Sequence, residues 1–498
     1  MPLVENLVNA GCPRVSAAMA VNTEGYGMTE APALLRAYDK LNTITTVPSD
    51  VQVCPQCQPG TSTFIFYGQQ YKGSCRRLQI ALGGRALLHE EAVLCIGAEG
   101  LLSYRSAGDF IAVSHVWAHG WQGVSEDGIC SRVLDILLNA AFDLGQEWIW
   151  LDAALVSGVR DLRVMAVNDM NRVYSAAAAT LVCDRLLMAM EESTDREKVL
   201  GVAMCDWMTR LWTMQEAVLS SRLVFLEQDC LWTAKDMFET LMDYGDEDPD
   251  NHWQLVGAMQ TLCELVVESD RPLDRVLQLG SNRRTTKSID LVRALFPLFD
   301  LKWPGPETTF FEAQIILLEH LETDAYRYAW SHAPVGLPSP WTWAPCTIVN
   351  CEGYILPRGL PLRVDSQGLH GIWFAAAVEL KDIEVGEERD TPAQYSARTT
   401  GTFHNRMTFA LEDESVFRAS VYHNEGDLTT WRSKRLLLLR APVDDIPQTQ
   451  ELEYYNLVVL DGSNDEEYLD MHRVGSVLAH LSLREFKMYE EQIQGVIS

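Results

Sequence analysis

Several features are missing from this chain, and each absence removes a class of function. No apolar run is long enough to cross a bilayer; the best candidate, Ala176–Met190, is interrupted by Asp184 and Arg185. The opening segment, MPLVENLVNAGCPR, lacks the basic-then-apolar order of a secretory signal, so a cytoplasmic location is expected. Basic residues are scarce, 40 against 69 acidic ones, and the formal net charge is −29. An acidic surface repels phosphate backbones and anionic lipid, so neither nucleic acid nor a membrane is expected as a partner. One basic cleft could still hold a small anion. No Walker loop, G-x-G-x-x-G or G-x-S-x-G elbow occurs, which removes the usual sequence signs of a nucleotide loop or a hydrolase nucleophile. No repeat of 20–50 residues is evident. The 12 cysteines are scattered rather than dense, as suits reduced thiols.

What is present is enough apolar residue to build large cores, 47% of a chain of 498, too long for one ordinary compact domain. Residues 1–106 read as irregular and rich in Gly, Pro and Cys, with a helix candidate around Ala31–Leu41. Residues 107–235 alternate strand and helix. Phe110–Ser114, Trp148–Leu151, Thr180–Cys183 and Leu223–Leu226 suit strands. Between them, Ile129–Leu144 carries Ile129, Val133, Leu137 and Ala141 at helical spacing, with Gly145 placed to end it. A second stripe runs from Leu162 to Ala177, and Met208–Leu219 reads as one helix with Asp206 as its N-cap. This alternation predicts a doubly wound α/β layer with a parallel sheet. Residues 236–335 read as helical. Residues 336–498 shift to a period of two at Gly371–Leu380, Arg406–Leu411, Arg435–Leu439 and Tyr454–Leu460, which predicts a mostly antiparallel sheet or small barrel.

Three blocks of the α/β region pair apolar runs with polar residues that a buried element normally avoids: FIAVSHVW at Phe110–Trp117, EWIWLDA at Glu147–Ala153 and RLWTMQE at Arg210–Glu216. With Val173-Tyr174-Ser175-Ala176-Ala177 between the second and third, their order and spacing resemble the fungal heterokaryon incompatibility (HET) domain family, in its variant with His after the first-block Ser. The resemblance covers about Ser106–Asp229. It continues weakly at Arg284-Thr285-Thr286 before Asp290 and at Trp343-Ala344-Pro345. It departs at the second block, where the family's Cys is Leu155 and its Asn-Gln is Ser157-Gly158, so a nucleophilic thiol at that place is not available.

The resemblance implies a TIR-like α/β fold and a regulatory, cell-death-like role. It also implies cleavage of the bond between nicotinamide and ribose in NAD, with NAD as substrate, no resident cofactor, and self-association as a trigger. Such cleavage passes through an oxocarbenium-like state that a carboxylate stabilises. Glu216 is the candidate carboxylate. Asp152, closing a strand, is placed for a ribose or phosphate contact, and Ser114 for a hydrogen bond to the same ligand. Arg210 would fork onto a phosphate, with His115 as a further contact, and Trp117 or Trp212 would stack on a base or nicotinamide.

Structural roles compete with each of these. Trp212 and Glu216 share a helix face, and Trp212 suits a core. Arg210, six positions before Glu216, would point away from it on a straight helix. Glu216 needs a partner if buried, and Asp152 could cap the next helix. A Ser114–His115–Asp152 hydrolase is conceivable. Cys54-x-x-Cys57 is half a zinc pattern that Cys75 with His89 or Cys95 would complete, but no second paired knuckle exists, and no metal site is assigned. Two other functions remain open: an enzyme of fungal small-molecule (secondary) metabolism built on the same fold, and a non-catalytic interaction module.

Overall fold

The computed structural model describes 87–89, 91–116, 129–156, 165–190, 192–227, 230–245, 283–305, 307–321, 362–365 and 367–384. It also describes the strands at 403–411, 416–423, 436–440, 453–460, 469–479 and 491–497, and short pieces at 36–37, 63–66, 69–72, 77–78, 80, 82, 261–264, 266, 276, 279–280, 325–326, 337, 341, 343–344 and 414. The chain divides into two units, Met1–Arg284 with Ala294–Trp303, and Thr285–Arg293 with Pro304–Ser498.

The first unit is built on a mixed, mostly parallel sheet. Its strands are β1 (Ala92–Ile96), β2 (Leu102–Arg105), β3 (Ile111–His115), β4 (Ile149–Leu151), β5 (Ala179–Cys183), β6 (Leu223–Leu226) and β7 (Leu231–Thr233). Across the sheet they run β7-β6-β5-β3-β4-β1, with β2 also paired to β1 and Leu88–His89 at the far edge. The four inner strands, β6, β5, β3 and β4, are parallel to one another. All residues of these four are buried, as continuous Val, Ile and Leu runs require when a sheet is covered on both faces.

Taken by order of occurrence, the parallel strands lie 2-1-3-4. The chain leaves β3 to one side, then returns past it to β5 and β6. Connections therefore diverge at the C-terminal ends of β3 and β5, which is where open α/β sheets place ligands. Around the sheet lie α1 (Ser131–Asp143), α2 (Asp152–Leu155), α3 (Met170–Ala176), α4 (Arg185–Ala189), α5 (Asp195–Met204), α6 (Asp206–Thr209), α7 (Trp212–Val218) and α8 (Ala234–Gly245).

Several expectations need correction. The stretch before Ser106 is not simply irregular: β1 and β2 pair with each other, and Ile96 joins Ile149 of the main sheet. Helix α1 begins only at Ser131, because Ile129–Cys130 pairs as a strand with Arg77–Leu78. The single helix expected over Met208–Leu219 is two helices, α6 and α7, with Arg210 extended between them (φ −92°, ψ 137°). Asp206 is the first residue of α6 rather than its cap, and Cys205 stands in the cap position. The helix expected around Ala31–Leu41 is described only at Arg36 and Ala37.

Gly145 ends α1 as expected. At φ +80° its N–H bonds Phe142 O, and the next N–H bonds Ala141 O, which closes a Schellman turn. Alanine at this left-handed position is strained even though the surrounding space is open. Gly145→Ala is therefore expected to cost about 1 kcal/mol, read as a lower denaturant midpoint at unchanged m-value.

The second unit holds an antiparallel sheet of β8 (Gly368–Glu384), β9 (Phe403–Ala410), β10 (Val416–His423), β11 (Leu436–Arg440), β12 (Glu453–Leu460) and β13 (Leu469–Ala479). The pairings run β8-β9-β10-β13-β12-β11 and return from β11 to β8, closing a ring. A further strand, β14 (Glu491–Ile497), pairs antiparallel to β8 and parallel to β13. Alternate residues such as Met407, Phe409, Val421 and Leu438 form its core. Among the described residues, no helix is long and apolar enough to cross a membrane.

Candidate functional site

At the C-terminal end of β3 the last two residues are polar, and both are buried. Successive strand side chains point to opposite faces, so Ser114 and His115 find different partners. The Ser114 hydroxyl donates to Glu216 Oε2 of α7 and accepts from Trp207 Nε1 of α6 at 2.6 Å. His115 Nε2 lies 2.9 Å from Asp152 Oδ1, at the start of α2 directly after β4. Asp152 Oδ1 also accepts from Ala153 N at 2.6 Å. The second ring nitrogen of His115, Nδ1, is buried without a hydrogen-bond partner.

Glu216 holds the centre. Besides Ser114, the hydroxyl of Tyr174 from α3 is hydrogen-bonded to it. Burial, and then the nearby Asp152 charge, push the Glu216 carboxyl up to about 8, against the hydrogen bonds from Ser114 and Tyr174 and the Arg210 charge. Glu216 is thus mostly protonated at pH 7. Burial and the Glu216 and Asp152 charges likewise hold the Tyr174 hydroxyl well above its ordinary value, so it remains a donor. Exposures of 0% for Ser114, 4% for His115, 7% for Asp152 and 6% for Glu216 show a cluster nearly closed to solvent.

The cluster rests on packed aromatic rings. Trp150 of β4 meets Tyr174 edge-on at 5.4 Å, and Trp207 meets Phe225 of β6 at 5.7 Å. Asp184, at the end of β5, caps α4 through Leu186 N (2.8 Å) and accepts Trp207 N at 3.0 Å, so it braces the residue that donates to Ser114.

Of the residues singled out in the sequence, Ser114 and Glu216 are in contact, His115 and Asp152 are in contact, and Asp152 and Arg210 both act on Glu216 electrostatically. Arg210 reaches this position because it lies in the extended joint before α7 rather than on the helix, where it would have pointed away. Trp212 is partly exposed at the first position of α7. Trp117 lies outside the described residues, as do Ser157-Gly158, Cys54, Cys57 and Cys75. Leu155 is buried in the sheet's core cluster. Cys95 is buried, which pushes its thiol up, and among the described residues no group of three His, Cys, Asp or Glu side chains is placed to hold a metal ion.

Sequence reading missed Trp207 and Tyr174 as members of the cluster. Tyr174 stood within a recognised block, where its apolar stripe read as core. Trp207 carried no signal beyond its size. Fold and cluster together define a class: an α/β domain with a buried pair of carboxylates where its parallel strands diverge. The chain matches no protein-family model, no characterised protein and no solved structure.

Proposed function

We propose that this is a HET-type regulatory protein whose TIR-like α/β domain hydrolyses the nicotinamide–ribose bond of NAD. The observation that supports this most is the convergence of Glu216, Asp152 and Ser114 at the ends of β3 and β4, with Asp152 close enough to raise the Glu216 carboxyl. In the reaction, the bond between the ribose carbon and the pyridinium nitrogen breaks with its electron pair moving to the ring. Neutral nicotinamide leaves and a ribosyl cation remains. Ionised Glu216 stabilises that cation until water adds to the same carbon and loses a proton to solvent. The positive nicotinamide ring itself favours the ionised carboxylate when it binds beside Glu216. In this reading Asp152 and Ser114 hold ribose hydroxyls with His115 as a further contact, Arg210 holds a phosphate, and Trp117 or Trp212 stacks on a ring.

The test is NAD consumption by the purified protein at low and high concentration, beside Glu216→Gln. Nicotinamide release that the variant loses by about a hundredfold or more supports the reading. Release that survives in the variant removes Glu216 from the site. No release at either concentration rejects NAD cleavage.

A second reading, a non-catalytic interaction module, draws on the burial of the cluster and on the hydrogen bonds that already occupy Glu216. Under it, Glu216→Gln alters stability alone.

A further inference from the structure

Arg283 is a fully buried cation beside the cluster; its Nη hydrogen bonds go to neutral groups, and its Nε is buried without a hydrogen-bond partner. Its Nη1 donates to Thr213 Oγ1 at 2.7 Å, to Arg210 O at 3.1 Å and to Trp207 O at 3.4 Å. Its Nη2 lies 3.5 Å from Met208 Sδ, and the guanidinium stands 5.2 Å from the centre of the Trp207 ring. Desolvating a guanidinium costs several kcal/mol unless its donors are well used. Burial lowers Arg283 to about 10, so it keeps its charge at neutral pH.

All of those partners belong to one short stretch, the joint at which α6 stops and α7 begins. The neighbouring backbone closes the same joint from both sides. Arg284 N donates to Thr209 O at 2.6 Å, and Leu211 N donates to Arg284 O at 3.0 Å. Nothing in Thr209-Arg210-Leu211 would break a helix by itself, since neither Pro nor Gly is present. The break exists because these tertiary bonds take over backbone groups that a continuous helix would pair internally. The carbonyls of Trp207 and Arg210, left at the C-terminal end of α6, present partial negative charge to the guanidinium. On either side of the joint stand the two residues that meet at Ser114: Trp207 donates to its hydroxyl, and Glu216 accepts from it.

We propose that Arg283 is the positioning residue of the Ser114–Glu216 cluster, holding α6 and α7 at the angle that brings Trp207 and Glu216 onto one hydroxyl. This holds whatever reaction the cluster performs, and its test needs no substrate. The readout is the pH dependence of unfolding between pH 5 and pH 9 that the Glu216 carboxyl imposes. The groups that set this carboxyl are Asp152, Tyr174, Ser114 and Arg210, and Glu216 in turn acts on Arg283.

Arg283→Gln removes both the fork and the charge. The upper end of the Glu216 titration, near pH 8 in the parent, is expected to move up by about one unit. Thr213→Val keeps the charge and removes the central acceptor of the joint. It is expected to move the titration the same way by a smaller amount, because a loosened joint weakens the Ser114 hydrogen bond that holds Glu216 down. Loss of the Arg283 charge raises the titration by itself, so Thr213→Val, which keeps that charge, decides. A shifted titration supports the role, and a titration left in place with stability lowered equally at all pH values overturns the proposal.

Discussion

Replacing Glu216 by Gln is expected to flatten the stability of the first unit between pH 5 and pH 8 by about 3–4 kcal/mol relative to the parent chain. The Glu216 carboxyl titrates near its ordinary value when unfolded and near 8 when folded, chiefly because burial opposes its charge. Between those values the folded protein holds a proton that the unfolded chain has released. Stability from this group is therefore complete below about pH 4.5, falls by up to about 1.4 kcal/mol per pH unit above it, and levels off past pH 8. Glutamine is neutral throughout and close to the protonated carboxyl in shape. Its amide oxygen still accepts from Ser114, and the Tyr174 hydroxyl can turn to accept from the amide nitrogen. Denaturant unfolding of both proteins at pH 5, 6, 7, 8 and 9 measures the difference. Parallel pH profiles for parent and variant would mean that Glu216 is ionised at neutral pH and that burial does not hold its carboxyl up.

The second large effect concerns rate. If ionised Glu216 is the working form in NAD cleavage, kcat/KM rises tenfold per pH unit below its limb and reaches a plateau above about pH 8. Asp152 raises that limb and the Ser114 hydrogen bond lowers it. Asp152→Asn should therefore move the limb down, and Ser114→Ala should move it up, each by about one unit. Asparagine retains an oxygen for His115, so the change is mainly one of charge. Plateau height and limb position separate two roles of Asp152. A lowered limb with an unchanged plateau means that Asp152 acts through its field alone, and the variant would be about fivefold faster than the parent at pH 7. A lowered plateau means that Asp152 also touches the substrate. A limb that stays in place in both variants would assign it to a group other than Glu216.

How much of this was legible in the chain differs from residue to residue. The inner strands were, because Ile111–Val113, Ile149–Leu151, Leu181–Cys183 and Leu223–Leu226 are short apolar runs bounded by polar residues or turns. The polar groups that close β3 and open α2 stood out for the same reason, since Ser114, His115 and Asp152 interrupt runs that otherwise read as core. Glu216 was visible as a carboxylate within an apolar helix. Their pairing was not visible. Ser114 and Glu216 are 102 positions apart, and they meet because β3 lies between β4 and β5 with α7 packed against it. Adjacent Ser114 and His115 choose different partners only because a strand turns successive side chains to opposite faces.

By itself, then, the sequence determined the kinds of element and most of their places in the chain: a parallel α/β core, a β-rich second half, and a short list of polar residues at strand ends. Those features depend on local periodicity and on the cost of burying a polar group, and both are written within a few neighbouring residues. Only the tertiary structure decided that the helix at Met208–Leu219 breaks at Arg210, that Trp207 becomes a donor to Ser114, and that Arg283 closes the joint from about 70 positions away. Each of these is a hydrogen bond between segments distant in sequence. Local preference there allows either outcome, and the choice falls to whichever arrangement leaves the fewest buried polar groups without a partner.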